Sequence, residues 1–365
     1  MAGSRNRFVG AGAIVAAVAA AVTLTLAGSQ TPATRLPDRL SDADFWRLSQ
    51  DLSEPDGTFH SENLVSNEIR FQTILPSLIE TVPAGRAYIG VGSEQNFTYI
   101  AAVRPAIAFI VDLRRGNLDL HLIYKALFEL STDRAEFVSR LFSRPRPAGL
   151  TATSSIDEIF AAYAGVAPDE ATYAANLRAI EAHLTTTHGF ALLDGDHDGI
   201  RFVYRSWFEA GPDLHYQLTG RGRMGGGFPT YADLMTTTDG SGRQRSYLAS
   251  ADAFRTLKDL HARNLIVPVV GNFGGPGALR GVAAWLTAHQ TRVGAFYTSN
   301  VEQYLRRDGL WDAFCASAAT FPIDGSSLFI RSERGGFAGT PGRGMGGFAS
   351  MLQPIADRVA PCTAR

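Results

Sequence analysis

The chain has 365 residues, enough for one large domain or two ordinary ones, and its 45% apolar and 19% charged residues suit a globular protein with a sizeable core. Its formal net charge of −1 excludes a general nucleic-acid binder, which needs a basic field. A small-molecule site is left open.

Arg5 and Arg7 precede an uncharged apolar run over residues 8–27, and small residues follow it. Residues 1–29 read as a signal peptide cleaved after Ser29. A run of about 20 apolar residues is also long enough for an uncleaved membrane anchor. No cysteine follows the run for lipid attachment, and Asn6 separates the arginines, against a twin-arginine signal. In either case the body is expected outside the cytoplasm, as a periplasmic, secreted or outer-face-anchored protein, touching the membrane only through this segment.

Residues 30–57 read as a linker giving way to a short helix over "LSDADFWRLSQDL". In 61–80, Ile69, Phe71, Ile74, Leu75 and Leu78 form an apolar stripe behind Asn67, which predicts a helix. A buried strand over 86–92, a short helix stopped by Pro105, a second buried strand over 106–113 and a helix from Asn117 then form a right-handed βαβ unit. Residues 134–210 read as a helical insertion, with a strand-like pattern only at "IRFVYRSWF". A glycine-arginine loop at 219–228 precedes strands over 264–273, 293–300 and 326–332, with helices between them. The alternation predicts a three-layer, mostly parallel α/β sheet, Rossmann-like over 58–333, with a glycine-rich tail over 334–365.

Gly90 and Gly92 close the first strand, and Asp112, 20 positions beyond Gly92, ends the second. A glycine turn lets backbone N–H groups approach a polar or anionic ligand at a helix N-terminus. An acid at that distance can grip a ribose diol. A tight βα turn with a solvated aspartate accounts for the same residues. The sixth position of the dinucleotide fingerprint is Gln95, not glycine, which argues against a dinucleotide. Glu94 and Asn96 stand at the head of the next helix, as ligand contacts or as solvated and capping residues. Asn272 and Asn300 end later strands, and Glu302 opens the helix after Asn300, on the same expected edge. A carboxylate there can act as a base, and a cap at Asn300 is the plainer alternative.

No metal site is expected. "DGDHDG" at 194–199 starts like a calcium loop, but Arg205 stands where the chelating glutamate belongs. No second cysteine lies near Cys315 or Cys362. In an oxidising compartment these two either form a disulfide or remain separate thiols. No nucleophile elbow is present, and His60, His121, His197 and His215 are scattered.

"YIGVGSE", "FIVDLRR" and, more loosely, "LIVPVVGNF" resemble the class I S-adenosylmethionine-dependent methyltransferases. The resemblance implies a Rossmann-like fold that binds S-adenosylmethionine at Gly90, Gly92, Glu94, Asn96 and Asp112. Asn272, Asn300 or Glu302 would then orient a small or envelope-associated methyl acceptor. Tyr88 stands where that family usually has an acid, Glu94 where it often has a third glycine, and no proline pair follows Asn272. The body, with "FVSRLFSR", "RFVYRSWF" and "FYTSNVEQYL", is also similar to a widespread bacterial family with no assigned reaction. The alternatives are a non-catalytic exported protein that binds an envelope ligand through the same edge, and an exported hydrolase resting on Glu94 and Glu302.

Overall fold

The alternation of strands and helices resolves into a six-stranded sheet. The computed structural model describes Met1 and residues 35–216, 228–334 and 348–363. Helix α1 (Asp42–Asp51) is capped by Ser41, whose side chain accepts from Asp44 N. The stripe predicted over 61–80 forms helix only from Phe71, as a 3-10 turn that runs into α2 (Leu75–Thr81). Asn63 takes a left-handed φ of 47°, which a continuing helix does not permit.

The βαβ unit is present as β1 (Ala87–Gly90), α3 (Gln95–Val103), β2 (Ile107–Asp112) and α4 (Arg115–Leu130). Both strands are buried along their whole length, as a parallel sheet covered on both faces requires. The insertion contains α5 (Arg134–Phe142), α6 (Ile156–Tyr163), α7 (Glu170–Ala182) and α8 (Asp194–Ala210), and short α9 (Tyr231–Thr236) and α10 (Ala251–Ala262) follow. The strand-like "IRFVYRSWF" lies inside α8. Ile200, Val203, Tyr204 and Trp207 are buried at helical spacing, whereas Phe202 faces out. "DGDHDG" is the first turn and a half of the same helix, not a loop.

The remaining strands are β3 (Ile266–Val270), β4 (Val293–Ser299), β5 (Leu328–Arg334) and β6 (Phe348–Pro354). Between them lie α11 (Ala278–Ala288), α12 (Val301–Arg307) and α13 (Trp311–Ala318), and α14 (Ile355–Thr363) ends the fold. Two helices, not one, lie between β4 and β5, separated at Gly309 with φ 71°. The expected tail over 334–365 is corrected in its second half: β6 pairs antiparallel with β5, Leu328 opposite Pro354, and α14 packs on α13. The glycine-rich residues 335–347, and all of the predicted loop at 219–228 except Phe228, lie outside the described residues. So does the apolar run at 8–27. No helix among the described residues is long and apolar enough to cross a membrane.

Strand order is β3-β2-β1-β4-β5-β6, parallel except for β6. Right-handed crossovers on either side of β1 place α3 and α4 on one face and α11 to α13 on the other. The order reverses between β1 and β4. In open α/β sheets, that switch point is where a crevice forms beyond the carboxyl ends of the strands.

Candidate functional site

A cleft lies at that crevice. Its volume is about 230 Å³, many times the 10–15 Å³ that one water needs, so it is ligand-sized. Gly92 and Ser93 line it from the turn after β1, Asp112 and Arg114 from the end of β2, Asn272 from the end of β3, and Ser299 and Asn300 from the end of β4. Phe59, Tyr216 and Tyr304 supply aromatic walls.

The sequence-predicted residues divide. Gly92, Asp112, Asn272 and Asn300 come together in the cleft. Gly92 has φ 79°, and a Cβ added to it would meet nothing within 4 Å, so glycine is needed there for the left-handed backbone. Asn300 does not cap α12 with its side chain, so its amide is not committed to the helix. Asn272 Oδ1 accepts from Gly274 N at 2.9 Å, which holds the loop after β3.

Gly90, Asn96, Glu94 and Glu302 do not line this cleft. A Cβ at Gly90 would collide with the amide of Asn96, so this glycine serves packing. Asn96 is fully buried. It donates to Val91 O at 2.9 Å and Ser93 O at 2.7 Å and accepts from Tyr88 OH at 2.8 Å, holding the glycine turn from behind. Glu302 lies beyond the cleft wall, paired with Arg331 (2.5 and 2.9 Å) and with Arg358. It is an ionic anchor for β5 and α14, not a free base.

Glu94 is also fully buried. Its Oε1 accepts from Ser66 N at 3.2 Å, and its Oε2 has no partner among the described residues. Burial therefore pushes its carboxyl up to about 7. The folded state holds this proton where the unfolded chain has released it, so the stability contribution is complete below about pH 4.5 and is lost as pH rises towards 7. Glu94→Gln is expected to remove this decline and raise stability at pH 8 by about 1–3 kcal/mol relative to the native chain. Urea unfolding at pH 5 and pH 8 checks it; an equal Glu94→Gln effect at both pH values would contradict a neutral Glu94.

Sequence reasoning missed Glu68, which also lines the cleft. It is 1% exposed and gathers five donors. Tyr297 OH and Ser299 Oγ reach Oε1 at 2.9 and 2.6 Å. Gln95 Nε2 at 3.0 Å, Ser350 Oγ at 3.2 Å and Ser332 Oγ reach Oε2. One carboxylate thus ties the 61–70 segment to α3, β4, β5 and β6.

Asp112 is bound by its neighbour: Oδ1 accepts from Arg114 N and Nε, each at 3.0 Å, and Oδ2 from Nη2 at 3.1 Å. Arg114 Nη1 reaches Ser61 O and Glu62 O as well. A second clasp comes from residues 54–56, which cross the carboxyl edge. Glu54 Oε1 accepts from Gly277 N and Ala278 N at 2.7 and 2.9 Å, which fills the N-terminus of α11. Asp56 Oδ1 accepts from Arg115 N at 2.7 Å at the start of α4. The N-terminus of α3, after the glycine turn, receives no side-chain cap. The N-terminus of α12 likewise lacks one, and of the two the α3 end, behind the glycine turn, lets backbone N–H groups approach a polar or anionic ligand group.

His121 supports the turn. It is buried, its Nε2 lies 2.9 Å from Gly92 O, and its Nδ1 has no partner among the described residues. Burial lowers its pKa to about 4, so the ring is neutral and Nε2 donates. His197 lies 3.8 Å from Glu181, and neither it nor His215 lines the cleft.

The sheet order and the switch-point cleft define a Rossmann-type, three-layer α/β protein. Residues 63–360 match the model of a domain of unknown function, DUF7790, and the chain belongs to that family. No curated protein matches the chain.

Proposed function

We propose that this chain is an exported, methyltransferase-like protein that binds an adenosyl ligand, S-adenosylmethionine first among candidates, in the switch-point cleft. The observation that carries the reading is the placement of an uncapped helix N-terminus behind Gly92 beside the Asp112 carboxylate, with two strand-end asparagines in the same cleft. The turn at Gly92 and Ser93 suits the polar amino-acid end of such a ligand. A carboxylate offers about four acceptor positions, and Arg114 takes three at Asp112. One position remains, enough for one hydroxyl of a ribose and not for both. The bound ligand would supply an activated methyl group. The chain's own contribution is positioning: Asn272 and Asn300 orient an acceptor, and the aromatic walls exclude water.

The Asp112–Arg114 clasp favours a second reading, a non-catalytic binding protein whose cleft takes an envelope ligand. Calorimetric titration of S-adenosylmethionine into the full chain separates the two. Micromolar binding is expected, weakened at least tenfold (about 1.4 kcal/mol) by Asp112→Ala, with Asp112→Asn retaining the shape of the site. No heat at millimolar ligand would sink the methyltransferase-like reading in favour of the second.

A further inference from the structure

Away from the cleft, α7 runs into a wide turn. Residues 183–187 make one π-helical turn, closed by His188 N donating to His183 O at 3.1 Å. In an α-helix of 3.6 residues per turn, side chains five positions apart diverge by about 140°. The i→i+5 bond instead stacks residue 188 over 183, and the two imidazole centroids stand 4.8 Å apart. Such turns are frequent at functional sites.

Both rings reach one oxygen. His183 Nε2 and His188 Nε2 lie 2.6 and 2.7 Å from Oε2 of Glu129, in the last turn of α4. One ligand atom from each of the three residues lies within 4.8 Å of the others. The other carboxylate oxygen of Glu129 accepts from Lys125 Nζ at 2.6 Å, which leaves Oε2 for the imidazoles. His188 Nδ1 lies 2.7 Å from Asp42 Oδ1, and Asp42 is itself held by Asn264 Nδ2 at 2.8 Å.

With hydrogen bonds alone, both Nε2 atoms must carry protons directed at the same oxygen. A divalent cation resolves this crowding, because two imidazole lone pairs and one carboxylate oxygen already converge on one point. Asp42 on the far nitrogen of His188 and Lys125 on the far oxygen of Glu129 are the outer partners that orient metal ligands. Bonds of about 2.0–2.2 Å to a common ion separate ligand atoms by about 3.3 Å, so the rings need to retreat by well under 1 Å. Lys125 opposes a cation, but the carboxylates of Glu129 and Asp42 outnumber it.

We propose that Glu129, His183 and His188 form a binding site for one first-row divalent cation, zinc being the first candidate, with the remaining coordination positions open to water or an exogenous ligand. The site is independent of the switch-point cleft. It departs from the sequence expectation of no metal because two histidines five apart on a regular helix point to different sides.

The test is calorimetric titration of zinc into the tag-free full chain after chelator treatment, followed by cobalt loading. One ion per chain is expected, with a dissociation constant at or below micromolar, and the cobalt-loaded chain is expected to show ligand-field absorption bands. His183→Ala and His188→Ala should weaken binding at least a hundredfold, Asp42→Asn about tenfold, and His215→Ala not at all. Folded native chain that takes up neither zinc nor cobalt overturns the proposal, a result that requires no variant to fold. So does undiminished binding by folded His183→Ala and His188→Ala chains.

Discussion

Glu68→Ala is expected to destabilise the fold by about 3–5 kcal/mol, because it leaves several buried neutral donors without their shared acceptor, each at a cost of about 1–3 kcal/mol before they re-pair. Gln95, Tyr297, Ser299, Ser332 and Ser350 all meet at Glu68. These donors come from α3, β4, β5 and β6, so truncation leaves polar groups on four elements without their shared acceptor. Each hydrogen bond to a charged group contributes about 1.5–3 kcal/mol net. Their simple sum exceeds the expected loss because freed hydroxyls can rotate towards one another or towards water from the cleft. Glu68→Gln keeps one acceptor oxygen but turns an N–H₂ towards donors, and it should lie between the native chain and the alanine variant. Urea unfolding of the three proteins gives the comparison. A loss below about 1 kcal/mol for Glu68→Ala would show that the cluster re-pairs without its carboxylate. If the loss is as large as expected, adenosyl-ligand binding should weaken in the same variant, because Gln95 and Ser299 share the cleft lining with Glu68.

Much of the edge that carries the cleft was legible, and the reasons are local. An apolar strand, expected over 86–92 and found over 87–90, a glycine turn and a helix stopped before Pro105 follow from short-range rules, and they put Gly92 and Asp112 at strand ends that line the cleft. Asn272 and Asn300 were placed by the same logic at later strand ends. Glu68 was not found, because within "LVSNEIR" it reads as one polar residue on an outward helix face. Its role comes from partners up to 282 positions away, which no local period encodes. The fate of Asp112 was hidden for a different reason: Arg114 follows two positions on, but whether it folds back depends on the 61–62 carbonyls that receive it. The strand β6 has no clean alternation, and it exists because β5 offers it an edge. The helix α8 was obscured by residues that favour strands. Its buried Ile200, Val203, Tyr204 and Trp207 show that the 3.6-residue period outranks composition.

Loss of the disulfide should have an effect of similar size at the β5–β6 edge of the sheet. Cys315 in α13 and Cys362 in α14 are bonded, with Cα atoms 5.7 Å apart and 47 positions between them in sequence. For a loop of that length the chain-entropy model gives about 4 kcal/mol of stabilisation at 25 °C, through restriction of the unfolded chain. The native consequence is directional. The bond holds α14 on α13, and α14 carries Arg358, which pairs with Glu302 beside Arg331 of β5. It also follows directly on β6, whose Ser350 belongs to the Glu68 cluster. Paired Cys315→Ser and Cys362→Ser substitutions should therefore lower the unfolding free energy by about 4 kcal/mol and expose β6 and α14 first. Hydrogen exchange in 348–363, measured beside exchange in β1 and β2, distinguishes this from uniform weakening. Acceleration in 348–363 beyond that which the global loss brings to β1 and β2 is the expected result. Equal acceleration in β1 and β2 would mean that the disulfide stabilises the sheet as a whole. No change in either region would mean that the ion pairs and the Glu68 cluster hold the edge without it.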